Sequence, residues 1–159
     1  MAFSSFRYLV QTLSSTGNDW PAVEQNLRRA HGKWGRLTNI LGREGGYNRT
    51  AGRFCVAVVQ AVLLFGSEIW FLTLRLYKAL AGFHHRAARR MAGMVPKRHP
   101  DGTWVYPPIV AALEMVGLEE IRESIALRQN KVAQYIATCP IMVFFLTADR
   151  KPGMRLSRR

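Results

Sequence analysis

Apolar residues between residues 20 and 43 recur in steps of 4, 3, 4, 3 and 4, at Val23, Leu27, Ala30, Trp34, Leu37 and Leu41. That spacing predicts an amphipathic helix from Trp20 to Arg43, with Asp19 as its N-cap, Pro21 in its first turn and Gly45-Gly46 ending it. Arg29, Lys33, Arg36 and Arg43 fall on roughly the opposite face. A second helix capped by Thr50 continues into 54–65 (FCVAVVQAVLLF), which is apolar nearly all round and is expected to be the central buried element. Thr73 is the expected cap of a third helix ending near Ala92, with Leu76, Leu80, Phe83, Ala87 and Met91 inward. Arg75, Lys78, His85, Arg86 and Arg89 lie on its other flank.

The pattern changes at both ends. Residues 3–13 (FSSFRYLVQTL) suit one short strand, whose edges lack a partner. Residues 93–108 carry four prolines and an Asp101-Gly102 turn, which predicts an ordered loop or small hairpin. A short helix near Ile109–Val116 and a longer one near Leu118–Thr138 follow, the latter with Ile121, Ile125, Val132 and Ile136 on one face, until Pro140 breaks it. The expected fold is mainly α: a helical bundle with one N-terminal strand and a Pro-rich loop or hairpin around 93–108. Its parts are 1–18 (strand and turn), 19–148 (helical domain, including the apolar IMVFFL run) and 149–159 (basic tail).

Composition adds charge. The chain has 159 residues, 48% hydrophobic and 21% charged, with a formal net charge of +13, which fits a folded chain drawn to polyanions. Residues 1–100 carry 15 Lys and Arg against 4 acids, whereas 101–159 carry 8 against 6. Most of the excess therefore lies on the first three helices. Cys55 and Cys139 are too few for a disulfide framework or a zinc site and suit a reducing compartment, nucleus or cytoplasm. Arg7 interrupts the N-terminus and no signal-peptide core follows, so secretion is not expected. Residues 54–74 have the length of a membrane span, but Gln60, Gly66, Ser67 and Glu68 interrupt them, and a membrane location is not expected.

Catalytic constellations are missing. The aspartates are Asp19, Asp101 and Asp149, which read as a cap, a turn residue and one near the tail, and no acidic pair offers itself for two-metal chemistry. Adjacent His84 and His85 point in different directions on a helix, where a metal pair wants i, i+4 spacing. Glu119, Glu120 and Glu123 suit a helix N-terminus, and Glu68, in an apolar stretch, calls for an arginine or a helix end as partner. No nucleophile–base set or phosphate-cradling glycine loop is present, so the chain is not expected to be an enzyme on its own, nor to hold a cofactor, metal or small molecule. The basic faces remain. Arg29, Lys33 and Arg36, and Lys78, Arg86 and Arg89, have helical spacing suited to a phosphate backbone. Charged residues also solvate outer helix faces, but two helices of one sign with few acids favour phosphate. Trp34 and Trp104 are candidate base-stacking rings, although Trp34 lies on the apolar stripe.

The landmarks FRYLV, DWPAVEQNLRRAHGKWGRL, AVVQAVLLFGSEIW, FHHRAARRMAG, DGTWVYPP and RQNKVAQYIATCPI, in that order, resemble the C-terminal part of reverse transcriptases from non-LTR (LINE-like) retrotransposons. The resemblance runs from Phe6 to about Arg150 and implies the thumb and the region after it. It implies an RNA-directed DNA polymerase whose fingers, palm and paired catalytic aspartates lie upstream, since no Asp-Asp pair occurs here. Residues 6–10 match the strand at the palm's end, with Val10 where the family commonly has glycine. The helix bearing Arg29, Lys33 and Arg36 would lie beside the template–primer duplex, and Trp34, Gln60, Gly66, Glu68 and Trp70 match as packing residues. The implied partner is RNA or an RNA–DNA hybrid, bound through its backbone by a decayed or truncated element. The other readings are a non-functional pseudogene product, a basic helical membrane-associated protein and an independent enzyme.

Overall fold

Helix α1 (Trp20–Glu44) forms where the apolar stripe predicts it, and Val23, Ala30, Leu37 and Leu41 are buried along it. The computed structural model describes residues 5–8, 11–14, 18–44, 49–94 and 96–139. The basic tail, the IMVFFL run, Gly45-Gly46, Val10 and Pro140 lie outside the described residues. At the start of α1, the Asp19 carbonyl accepts the first helical bond from Val23 at 3.0 Å. Its carboxylate, expected to cap the helix, instead accepts the Phe71 N–H at 2.8 Å and ties the helix start to a loop 52 residues away. Asn18 Oδ1 accepts the Trp20 N–H at 3.0 Å.

The second apolar segment is one rod in three parts: α2 (Arg49–Phe54), a π-helical turn (Cys55–Gln60) and α3 (Ala61–Leu63). Thr50, expected as its cap, lies within α2. Ala51, Cys55, Val59, Leu63 and Leu64 are buried, whereas Phe54, Val56, Val58 and Phe65 are exposed. The rod is therefore half-buried, not central. Apolarity all round says that a segment tolerates burial, but not how many neighbours cover it. The rod ends at Gly66, in the left-handed conformation that glycine adopts without cost. Its last carbonyls would be left without helical partners. Buried Asn26 of α1 donates to Phe65 O at 2.8 Å and to Leu63 O at 3.4 Å and so caps the rod from the side.

A 3-10 turn (Ser67–Ile69) leads to α4 (Leu74–Met91), where Thr73 Oγ1 accepts the Leu76 N–H at 3.3 Å as an N-cap should. Leu76, Leu80, Phe83, Ala87 and Met91 are buried as expected, and so is His84. Helix α5 (Ile109–Val116) packs against α4 and α2. The contact with α2 is close: a Cβ placed on Gly52 would lie 1.9 Å from the Val116 carbonyl oxygen. Helix α6 (Ile121–Thr138) starts three residues later than expected, and Glu119 and Glu120 precede it. Ile121 and Ile125 are buried, but Val132 is only half-buried and Ile136 is exposed, because α6 packs on α4 and the 3-10 turn through its first half. Gln129 Nε2 fixes that contact, donating to Trp70 O at 2.9 Å and Ser67 O at 3.2 Å. Glu68 has the arginine partner its setting called for, Arg128, at 3.3 Å.

The sheets are small. The N-terminal segment expected as one strand is two, β1 (Ser5–Tyr8) and β2 (Gln11–Ser14), paired antiparallel with Ser5 opposite Ser14 and Tyr8 opposite Gln11. The chain thus supplies the partner that a lone strand lacked. In the Pro-rich loop, β3 (Lys97–Arg98) pairs with β4 (Trp104–Val105) around the Asp101-Gly102 turn. Gly102 has φ of 85°, and Asp101 Oδ1 accepts from Thr103 N at 2.8 Å and Thr103 Oγ1 at 2.6 Å.

Candidate nucleic-acid interface

The inward stripe of α4 leaves its opposite face to solvent, and that face is cationic. At 100° per residue, Lys78, Arg86 and Arg89 fall within an arc of about 80° and span about 16 Å of helix. Lys78 and Arg86 are exposed and Arg89 is half-buried. Arg75 begins the same stripe, but its guanidinium stacks on the Trp20 ring at 4.0 Å. Among the described residues, the ion pairs are Arg28–Glu24, His85–Glu120 and Arg128–Glu68, so no carboxylate neutralises the six predicted cations.

Arg29, Lys33 and Arg36 occupy a second face, about 10 Å long, on α1. Arg29 is half-buried, while Lys33 and Arg36 are exposed. Arg29 and Lys33 flank a shallow groove of about 280 Å³ against Ala61, Val62 and Phe65 of the rod. The side of α1 that meets α4 is a different one, where Trp20 lies under Arg75 and His31 meets the Phe83 ring edge-on at 4.7 Å. The six predicted residues therefore form two patches, separated by the body of α1.

A third feature lies at the C-terminal end of α4. Gly93, with φ of 66°, turns the chain out of the helix into the β3–β4 hairpin. Arg86, Arg89 and Arg90 line a groove of about 680 Å³ together with Met94, Pro96 and Tyr106. Arg89 Nε donates to Pro107 O at 3.2 Å, and its guanidinium lies 5.6 Å from the Tyr106 ring centre. Of the two tryptophans considered for stacking, Trp34 is half-buried against the core and Trp104 is 56% exposed. Tyr106, 59% exposed, and Arg90 were not singled out from the sequence. The available signals were the i, i+2 spacing of Trp104 and Tyr106 and the i, i+4 spacing of Arg86 and Arg90.

The adjacent histidines behave as packing groups. Glu119 O, which can only accept, lies 2.9 Å from His84 Nε2, so Nε2 carries the proton and Nδ1 accepts from Gln60 Nε2 at 3.3 Å. Burial holds the His84 imidazole below its ordinary value, against the opposing pull of the Glu119 carbonyl and the Glu120 charge. His85 engages the next residue of the same segment, its Nε2 lying 3.0 Å from the Glu120 carboxylate. Burial pushes the Cys55 thiol up to about 12, which leaves it without nucleophilic character. Among the described residues, no three of His, Cys, Asp and Glu come together as a metal site, and no helix is long and apolar enough to cross a membrane. Comparison with models of known families, with curated proteins and with solved structures finds no match for this chain.

Proposed function

We propose that this chain is a non-specific nucleic-acid-binding module that grips the backbone of RNA or an RNA–DNA hybrid. On this reading it corresponds to the thumb and post-thumb part of a non-LTR retrotransposon reverse transcriptase and works beside a catalytic palm it does not itself contain. It acts inside the cell, as a binding element and not as an enzyme by itself. The observation that supports this best is the face of α4, where Lys78, Arg86 and Arg89 follow one another with no carboxylate paired to them. A rigid helix presents cations at fixed spacing, and each phosphate neutralised releases a counterion. Such a face supplies affinity and register but carries no base information. The α1 patch is a second, separate grip.

The test is hybrid binding by the full chain after removal of the exposed α4 cations. Lys78→Ala with Arg86→Ala is expected to weaken binding at physiological salt and to flatten the log–log salt slope by about 1.8, or 0.9 per lost phosphate contact. Helix content should be unchanged, since both side chains point to solvent. An unchanged affinity and slope would remove α4 from the interface.

A further inference from the structure

The groove at the end of α4 differs from a bare cationic stripe because it brings the Tyr106 ring and three guanidiniums together, with the exposed Trp104 ring two residues before Tyr106 in the chain. Trp104 lies in β4 and Tyr106 follows the strand directly, ahead of Pro107, where extended backbone is favoured, so at extended-chain spacing the two side chains leave the same side about 6.7 Å apart. That is about twice the 3.4 Å rise of a stacked strand. An intact duplex offers no gap between neighbouring bases into which such rings fit. An unpaired strand does, because its bases separate and stack on protein rings one by one. Both rings are more than half exposed. Arg98 lies directly across from Trp104 in the hairpin register and shares its face.

Cations border the rings. Arg86 and Arg90, one turn apart on α4, line the same groove as Tyr106 and are exposed. Arg89 is engaged, bonded to the Pro107 carbonyl and lying against the Tyr106 ring, so it positions the strand that carries the rings. The carbonyls at this helix end, which would repel an anion, are covered: Ala88 O, Arg89 O and Arg90 O accept from Ala92 N, Met94 N and Gly93 N at 2.9, 2.8 and 3.2 Å.

We propose that this corner is a binding site for unpaired nucleotides of a single-stranded nucleic acid, with bases stacked on Trp104 and Tyr106 and phosphates held by Arg86 and Arg90. The site rests on the nucleic-acid reading above and deepens it, because it adds a contact for unpaired bases at the hairpin corner to the backbone grip of α4 and α1, with Arg86 serving phosphates of either kind of strand. Stacking and phosphate contact are shared by RNA and DNA, so the site takes either.

The experiment measures fluorescence anisotropy of labelled oligouridine and oligothymidine, about 12 nucleotides long, and of an RNA–DNA hybrid of the same length. The full chain is used, so that charges outside the groove are the same in every variant. Trp104→Ala and Tyr106→Ala are each expected to weaken single-strand binding about tenfold and to leave hybrid binding within about twofold. Tyr106→Phe keeps the ring and should bind single strands as the parent does. Thermal melts followed by circular dichroism confirm that each variant is folded. Equal losses for single strand and hybrid, or none for either, would overturn the assignment. So would tight hybrid binding by the parent with no single-strand binding, which leaves the backbone grip standing. Binding of neither nucleic acid would overturn both readings. Ring-dependent binding to phosphatidylcholine–phosphatidylserine vesicles without oligonucleotide binding would make the corner a membrane contact and overturn the site.

Discussion

Gly52→Ala is a one-carbon change whose sign the packing of α2 on α5 decides. In an exposed helix the substitution stabilises, by about 1 kcal/mol, because alanine loses less backbone entropy. At Gly52 the added Cβ would sit 1.9 Å from Val116 O, where ordinary contact begins at 3.4 Å, so the helices must part by about 1.5 Å. Overpacking of this kind costs about 1–3 kcal/mol, and more where backbone must yield. The clashing atom is a carbonyl on a helix that also packs on α4, so no side chain can swing aside. The net expectation is a loss of about 1–2 kcal/mol, a Tm lowered by about 2–8 °C at this chain length. Gly32→Ala is the control: no atom lies within 4 Å of its Cβ, and its Tm should rise by about 2–4 °C. Val116→Ala in the Gly52→Ala background should not restore stability, because it leaves the carbonyl in place. Melts followed by far-UV circular dichroism decide the matter. A Gly52→Ala chain melting at or above the parent would mean that α2 and α5 do not meet as described.

Asn26→Ala leaves the Phe65 and Leu63 carbonyls without their donor and should cost about 1–3 kcal/mol, read as a lower urea midpoint with an unchanged m-value. A thiol reagent should modify Cys139, which is half-buried, in the native chain, and reach Cys55 only after unfolding. Two fast-reacting thiols would contradict the burial of the rod. Burial lowers the His84 pKa from 6.5, so unfolding takes up a proton below that pH; stability is fully present above 6.5 and falls as pH drops through and below it. The neighbouring His85–Glu120 pair is present in both chains and cancels in the comparison. Urea midpoints of the parent and His84→Gln should therefore converge on acidification, and parallel curves would refute the assignment.

The sequence expressed most clearly what rests on periodicity and local chemistry. The steps of α1, the Thr73 cap of α4 and the Asp101-Gly102 turn are each set by residues a few positions apart. The Glu68–Arg128 pair followed from the cost of leaving an acid unpaired among apolar neighbours, although the sequence could not say which arginine. Long-range competition was illegible. Asp19 has the right residue type and position for a cap, yet its carboxylate serves Phe71 N–H, and nothing local announces that. The rod's two-sided exposure and the exposed second half of α6 depend on how many neighbours each element meets. In the interface, the helical spacing of Lys78, Arg86 and Arg89 was visible, whereas the convergence of Arg90 and Tyr106 depends on Tyr106 and Pro107 returning to the end of α4. The separation of the α1 and α4 patches was equally hidden, because one-dimensional spacing does not order helices around a core.

The central claim, that this fold grips nucleic-acid backbone through the α4 face, is tested most directly by titrating the full chain with a short RNA–DNA hybrid across a salt series. The account predicts affinity that falls linearly in log Kd against log salt, with little dependence on sequence, and a slope shallower by about 1.8 when Lys78 and Arg86 are both alanine. A folded parent chain that fails to bind at low salt, or a slope indifferent to those two charges, would contradict it.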